Sequence, residues 1–298
     1  MEPGDAIMNK TTTLPSQAYV APLSHRVRRG VSSLLNIVVL LVVIFMVLGP
    51  IAWMTLMSLR TDQANFAMPP DFSAGWTAQN YIELSQTNFG RNLVNSLITS
   101  TLTTVFALLI GAPAAYALSR FTFKRDRLLT FWILAARLAL PIGFALPLFN
   151  ITKEIGWYNS YQGIVLVYLT FTTPLVIWVL RPFMDGIPKD LEESCAVDGA
   201  TQWQAFTQVV LPLAAPGMVS VGVLTFITTW IEFFYALIFT RGDMMTAPVG
   251  VVNFLQYQGW EWGKITSAGV VIMLPVIIFS IFTHKYLVSG LTAGAVKG

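Results

Sequence analysis

Long charge-free stretches alternate with short polar segments along most of this chain. Residues 31–59, 92–119 and 265–283 contain no Asp, Glu, Lys or Arg. Residues 128–150 are broken only by Arg137, 217–240 only by Glu232, and 155–180 carries an apolar run from about Tyr161. A helix needs about 20 apolar residues to cross a hydrocarbon core of about 30 Å, so the pattern predicts six membrane-spanning helices and an all-α integral membrane fold. The first run follows His25, Arg26, Arg28 and Arg29, a layout that imitates a signal peptide. A signal core is only about 7–15 residues and ends in a small-residue cleavage site. This run is far longer and ends in Met57-Ser58-Leu59-Arg60, which predicts an anchor that is retained.

Composition supports the pattern. The chain is 55% hydrophobic and only 11% charged, against about 25% charged in soluble domains. A net charge of +3 is too mild to point to nucleic acid. Cys195 is the single cysteine, so neither an internal disulfide nor a Cys-rich metal site is available. The two histidines, His25 and His284, lie far from it, which argues against a Cys–His nucleophile. No G-x-x-x-x-G-K-[S/T] phosphate loop is present.

The distribution of basic residues orients the spans. Lys10, Arg26, Arg28 and Arg29 precede the first span, and Arg120, Lys124, Arg125 and Arg127 follow the second. Arg181 and Lys189 lie in 181–216, with Lys285 and Lys297 at the C-terminal end. Only Arg60, Arg91, Lys153, Arg241 and Lys264 fall on the opposite side. Twelve against five by the positive-inside rule puts both termini in the cytoplasm. The expected organisation is a cytoplasmic tail over 1–30, a six-span domain over 31–290 and a cytoplasmic tail over 291–298. The outer connections would be 60–91, with Pro69, Pro70 and Trp76, and 241–264, with Trp260 and Trp262. Both suit a water boundary.

One polar segment, Pro188 to Pro216, has helical order of its own. Asp190, Glu192 and Glu193 crowd a helix start, where the macrodipole favours negative charge. Gly199 breaks the run, and Thr201 with Gln204 has the spacing of a capping box opening a second helix. That helix carries Trp203, Phe206, Val209 and Val210 before Leu211-Pro212 and Pro216 stop it. By periodicity alone it reads as an amphipathic connector on the cytoplasmic surface.

The residues of this segment also resemble a family pattern. Glu193-Ser194-Cys195, Asp198-Gly199-Ala200 and Leu211-Pro212 resemble the EAA loop of bacterial ABC importer permeases, with Ser194 and Cys195 in place of two alanines. Trp203-Gln204-Ala205-Phe206, Trp230-Ile231-Glu232-Phe233 and the tail Gly290–Gly298 resemble the carbohydrate-uptake branch, in particular the second, loop-poor permease subunit of maltose-type transporters. The similarity spans roughly residues 90–298. It implies the type I importer permease fold and a coupling helix that docks in a cleft of an ATP-binding subunit. Glu193, Ser194, Cys195, Asp198, Gly199, Ala200, Trp203, Phe206, Leu211 and Pro212 would carry that contact, with Trp203 and Phe206 as buried anchors. It further implies a homologous second permease, two ATP-binding cassette subunits holding ATP and Mg, and an extracytoplasmic solute-binding protein. The 241–264 loop would either enter that protein's cleft or form an ordinary interfacial hairpin.

Arg137 and Glu232 are costly inside a span, at least about 2.5 kcal/mol each at the centre. Either they line a substrate path, or they pair with each other or snorkel toward an interface. Asn150, Tyr168, Thr172, Trp230, Glu232, Tyr235 and Asn253 offer the aromatic and hydrogen-bonding groups a sugar path would use. Two other readings remain: an ABC permease for a non-sugar solute, and an ion-coupled secondary transporter using Arg137 and Glu232 as relays. Pro141, Pro147, Pro174 and Pro275 predict bent spans.

Overall fold

A computed structural model describes the backbone of residues 23–295, apart from 70, 71, 74, 123, 124, 139, 257 and 258. The expected N-terminal tail lies mostly outside the described residues, although helix α1 (Leu23–Ser58) already includes 23–30. The chain divides into Met1–Trp53 and Met54–Gly298. In the first unit the described part is one helix, whose Leu35–Leu48 stretch presents large apolar side chains outward.

The second unit continues with short helices α2 (Asp62–Asn65) and α3 (Gln79–Ser85), then the long α4 (Phe89–Arg120). Next come α5 (Asp126–Leu138), α6 (Pro141–Glu154) and α7 (Tyr161–Asp185). The polar segment folds as α8 (Asp190–Val197), α9 (Gln202–Ala205), a π-helical turn over Phe206–Val210 and α10 (Leu211–Leu213). Then follow α11 (Ala215–Trp230), α12 (Phe234–Phe239), α13 (Ala247–Gly250) and α14 (Trp262–Ala295). The described strands are β1 (Leu255–Gln256) and β2 (Gly259–Trp260), an antiparallel pair. Residues 291–295 continue α14 instead of starting a separate tail, and 296–298 lie outside the described residues.

Among the described residues four unbroken helices are long and apolar enough to span a membrane, and two bent pairs bring the count to six if each is one span. The first pair, α5 and α6, bends by 88°. Pro141 excludes the helical region for the residue before it, and Leu140 is extended (φ −63°, ψ 123°). The second pair joins 202–213 to α11 at 74°, where Pro212 and Pro216 start new helical turns. The run 217–240 is therefore not one helix. It stops at Trp230 and resumes at Phe234.

Helix α4 is apolar outside and polar inside. Asn92, Asn95, Ser96, Thr99, Ser100 and Thr103 are buried along one stripe that continues through Ala107, Gly111, Ala112 and Ala115. Val94, Leu97, Val105, Leu109 and Ile110 face outward. Lipid does not drive apolar faces together, so close backbone approach through small residues drives the packing. A Cβ on Gly111 would lie 2.6 Å from Val176 Cγ1 of α7. Around this contact lies a core of Tyr116, Leu180, Met184, Phe206, Val210 and Val221. Most buried hydroxyls are satisfied locally: Thr99, Thr172, Thr225 and Thr229 donate to carbonyls four residues back at 2.8–3.0 Å.

Candidate functional site

The polar segment is a helix, a glycine turn and a capped second helix. Asp190, Glu192 and Glu193 occupy the first turn of α8. Gly199 takes φ +85°, a conformation that side-chain-bearing residues rarely adopt. Thr201 Oγ1 accepts from the Gln204 amide at 3.3 Å, and the Thr201 amide donates to Gln204 Oε1 at 2.7 Å. The capping box expected from spacing is present.

The segment divides its side chains between two faces. Glu193, Ser194, Asp198, Gly199 and Pro212 are exposed, Cys195, Ala200 and Leu211 half-buried. Trp203 is 64% exposed and Val197 88%, two large apolar groups turned outward on a polar segment. Glu193 makes no ion pair among the described residues. Phe206 corrects one expectation. At 3% exposure it is no anchor for a partner but part of this chain's core, 4.8 Å from the Tyr116 ring. Trp203 stacks at its edge, 5.3 Å away.

Sequence reasoning placed Glu192 at a helix start and missed its main role. Its Oε2 accepts from Tyr116 OH at 2.6 Å, and its Oε1 from Arg120 Nε at 2.5 Å. Arg120 also donates to the Ile187 carbonyl at 3.1 Å and to Ser119 Oγ at 3.0 Å. The two side chains are only 8% and 13% exposed. Tyr116 and Arg120 are four apart, hence on one face of the last turn of α4. That spacing was the available signal, but nothing local names residue 192 as their partner. Beside them a cavity of about 240 Å³ opens between α4 and α8, with Glu193 and Lys189 at its wall.

A second cavity, about 400 Å³, sits at the breaks between α5 and α6 and between α11 and α12, and is lined by Arg137, Pro141, Phe144, Phe171, Glu232 and Tyr235 among others. Arg137 and Glu232 share it, yet no ion pair among the described residues joins them. Glu232 instead accepts the Tyr235 and Ala236 amides at 2.9 and 3.0 Å. It caps α12, where unsatisfied N–H groups favour an anion. Phe171 and Tyr235 stack in parallel at 5.7 Å.

The remaining expected path residues are scattered. Thr172 and Tyr168 are fully buried, with Thr172 bonded to the Tyr168 carbonyl at 2.8 Å, and neither lines this cavity. Trp230 is 3% exposed and donates to the Ile272 carbonyl at 3.0 Å, joining α11 to α14. All three are packed inside this chain. Asn150 is exposed. Asn253 lines a third, polar cavity of about 420 Å³ with Gln86, Asn88, Asn92 and Lys264.

That third cavity lies where the 241–261 connection crosses the start of α4. Asn95 Nδ2 donates to the Asp243 and Met245 carbonyls at 2.7 and 2.9 Å, while its Oδ1 accepts from Tyr161 OH at 2.6 Å. Ser96 Oγ accepts the Ala247 amide at 2.8 Å. A Cβ on Gly250 would run into the Asn92 side-chain amide, so a larger residue there would displace Asn92. Among the described residues no group of three or more His, Cys, Asp and Glu side chains is placed to hold a metal.

Comparison with known proteins fits this arrangement. Residues 107–292 match the family model for the binding-protein-dependent transport system inner membrane component. The chain is 36% identical over 256 residues to the trehalose/maltose transport system permease protein MalG of Thermococcus litoralis, covering 84% of this chain and 92% of that one. It is 41% identical over 213 residues to the trehalose transport system permease protein SugB of Mycobacterium tuberculosis, covering 70% and 78%. Its fold is similar to a chain of a bacterial ABC transporter that imports the acidic polysaccharide alginate, with a TM-score of 0.73 at 20% identity over 90% of this chain and 99% of that one. The chain belongs to the family of binding-protein-dependent transport system inner membrane components, multi-pass membrane permease subunits of ABC importers that are not themselves enzymes.

Proposed function

We propose that this chain is one of two homologous permease subunits of a sugar importer. An oligosaccharide, glycoside or polyol is the substrate class, and α8 is the helix through which ATPase closure drives alternating access. The observation that carries the reading is the exposed helix, glycine turn and capped helix between two spans, with an exposed Glu193 and an exposed Trp203 on it. The sugar assignment rests on the relatives, which are named as permeases for trehalose and maltose. In this arrangement both termini and the 188–216 segment face the cytoplasm, flanking a permease domain over 31–290. Two ATP-binding cassette subunits supply ATP and Mg from that side, and a solute-binding protein meets the 241–261 loop outside. The cavity at the breaks, with its Phe171–Tyr235 stack and its Arg137 and Glu232 head groups, is the part of the chain suited to a passing polyhydroxylated solute.

Gly199→Val tests the docking half. No neighbour lies within 4 Å of a Cβ there, so the change acts through φ +85° alone, which a β-branched side chain resists. The variant should insert in the membrane but co-purify with little of its ATPase and import no solute. Normal co-purification and uptake would sink the docking reading. Competition of uptake by trehalose, maltose and a set of amino acids, measured in reconstituted vesicles, decides the substrate class.

A further inference from the structure

Helix α4 is gripped at both ends by polar contacts, one to each of the two segments that the proposed function assigns to partner proteins. At its C-terminal end Tyr116 and Arg120 close on Glu192 of α8, using both carboxylate oxygens. Tyr116 also stacks on Phe206, so the same turn holds the second half of the polar segment. At its N-terminal end Asn95 and Ser96 hold the backbone of the 243–247 stretch. Asn95 and Arg120 are separated by 25 residues of one helix, with Pro113 inside it, a span of at most about 37 Å at 1.5 Å per residue. Between them the small-residue stripe locks α4 against α7 at Gly111.

We propose that α4 is a connecting rod between the two docking surfaces, and that Glu192, Arg120, Tyr116 and Asn95 are the positioning residues that clamp its ends. Any displacement of α8 then moves α4 directly, through a charge-assisted pair, and not only through the loops that lead into α7 and α11. The same rod carries the position of the 243–247 backbone back to α8. A rod of this kind has two clamps in series, so opening either one disconnects both surfaces. The inference rests on the reading that α8 meets the ATPase and the 241–261 loop meets the solute-binding protein.

The test is a double-mutant cycle across the rod, in the complete importer reconstituted with its ATPase, partner permease and loaded solute-binding protein. Glu192→Gln and Asn95→Leu are made singly and together. The readout is the ratio of binding-protein-stimulated to basal ATP hydrolysis, normalised to the ATPase retained in the complex. Each single variant should keep basal hydrolysis within about twofold and lose stimulation by about tenfold, and the double should lose no more than the worse single. Sites this far apart ordinarily act independently. Losses that multiply, or stimulation that survives in either single variant, overturn the proposal. If Glu192→Gln fails to assemble, Tyr116→Phe, which removes one hydroxyl from the same clamp, takes its place in the cycle. Failure of the underlying reading looks different: the unsubstituted chain would not retain the ATPase, or the solute-binding protein would not stimulate it.

Discussion

The two ends of α4 hold their partners by different chemistry. At the α8 end the contact is between ionised side chains on both elements, Arg120 and Glu192, with Tyr116 completing the carboxylate's hydrogen bonds. At the other end a neutral amide holds backbone carbonyls, so the clamp reads the path of the loop and not its side chains. The exposed Arg91–Asp243 pair nearby adds little, since both side chains are more than half in solvent. The difference teaches where each end tolerates change. Residues 243 and 245 can vary without removing the carbonyls that Asn95 holds, whereas a change at position 192 takes the counter-charge from a nearly buried guanidinium.

That contrast can be broken at three points. Glu192→Ala should have the largest effect on stability, about 3 kcal/mol, because Arg120 is left nearly buried without its counter-charge. Thermal unfolding of the detergent-solubilised chain measures it, and a midpoint within a degree of the parent would show the pair to be unimportant. Asn95→Leu should cost less, about 2 kcal/mol, from three neutral hydrogen bonds and two stranded carbonyls. Its signature is local: proteolysis within 241–261 should accelerate while the α8 region stays protected, and an unchanged digestion pattern would argue against the clamp. Trp203→Ala should be nearly silent for stability, within about 0.5 kcal/mol, since the ring is mostly exposed. It should instead weaken retention of the ATPase severalfold in co-purification, and equal retention would remove Trp203 from the docking surface.

Local features were legible along the chain. The apolar runs marked the spans, the Thr201–Gln204 spacing marked its capping box, and Gly199 marked the turn with φ +85°. Phe206 was misjudged because a hydrophobic residue on an amphipathic helix can face a partner or its own core, and periodicity does not distinguish them. Here the ring lands on Tyr116, ninety residues earlier. The local partners of Glu232 were hidden for a related reason. A carboxylate inside an apolar run looks unpaid until the helix is seen to stop at Trp230 and offer it two free amides at the start of α12. Trp230 and Thr172 suggested sugar recognition by residue type but are consumed by contacts inside the protein.

By itself, then, the sequence determined that this chain is a membrane-embedded helical bundle with an ordered polar segment between two of its spans. Hydropathy, charge asymmetry and capping act over one to about twenty residues, and are written where they act. Only the tertiary structure decided which side chains of that segment face outward, that Glu192 is tied to Arg120 across 72 residues, and that Asn95 holds a loop some 150 residues away. Those contacts depend on how α4 seats against α7, α8 and the 241–261 loop. In a membrane that seating is set by close packing of small residues and by a few hydrogen bonds: the small and hydroxyl residues recur every three to four positions and mark one face of α4, but not which element covers it.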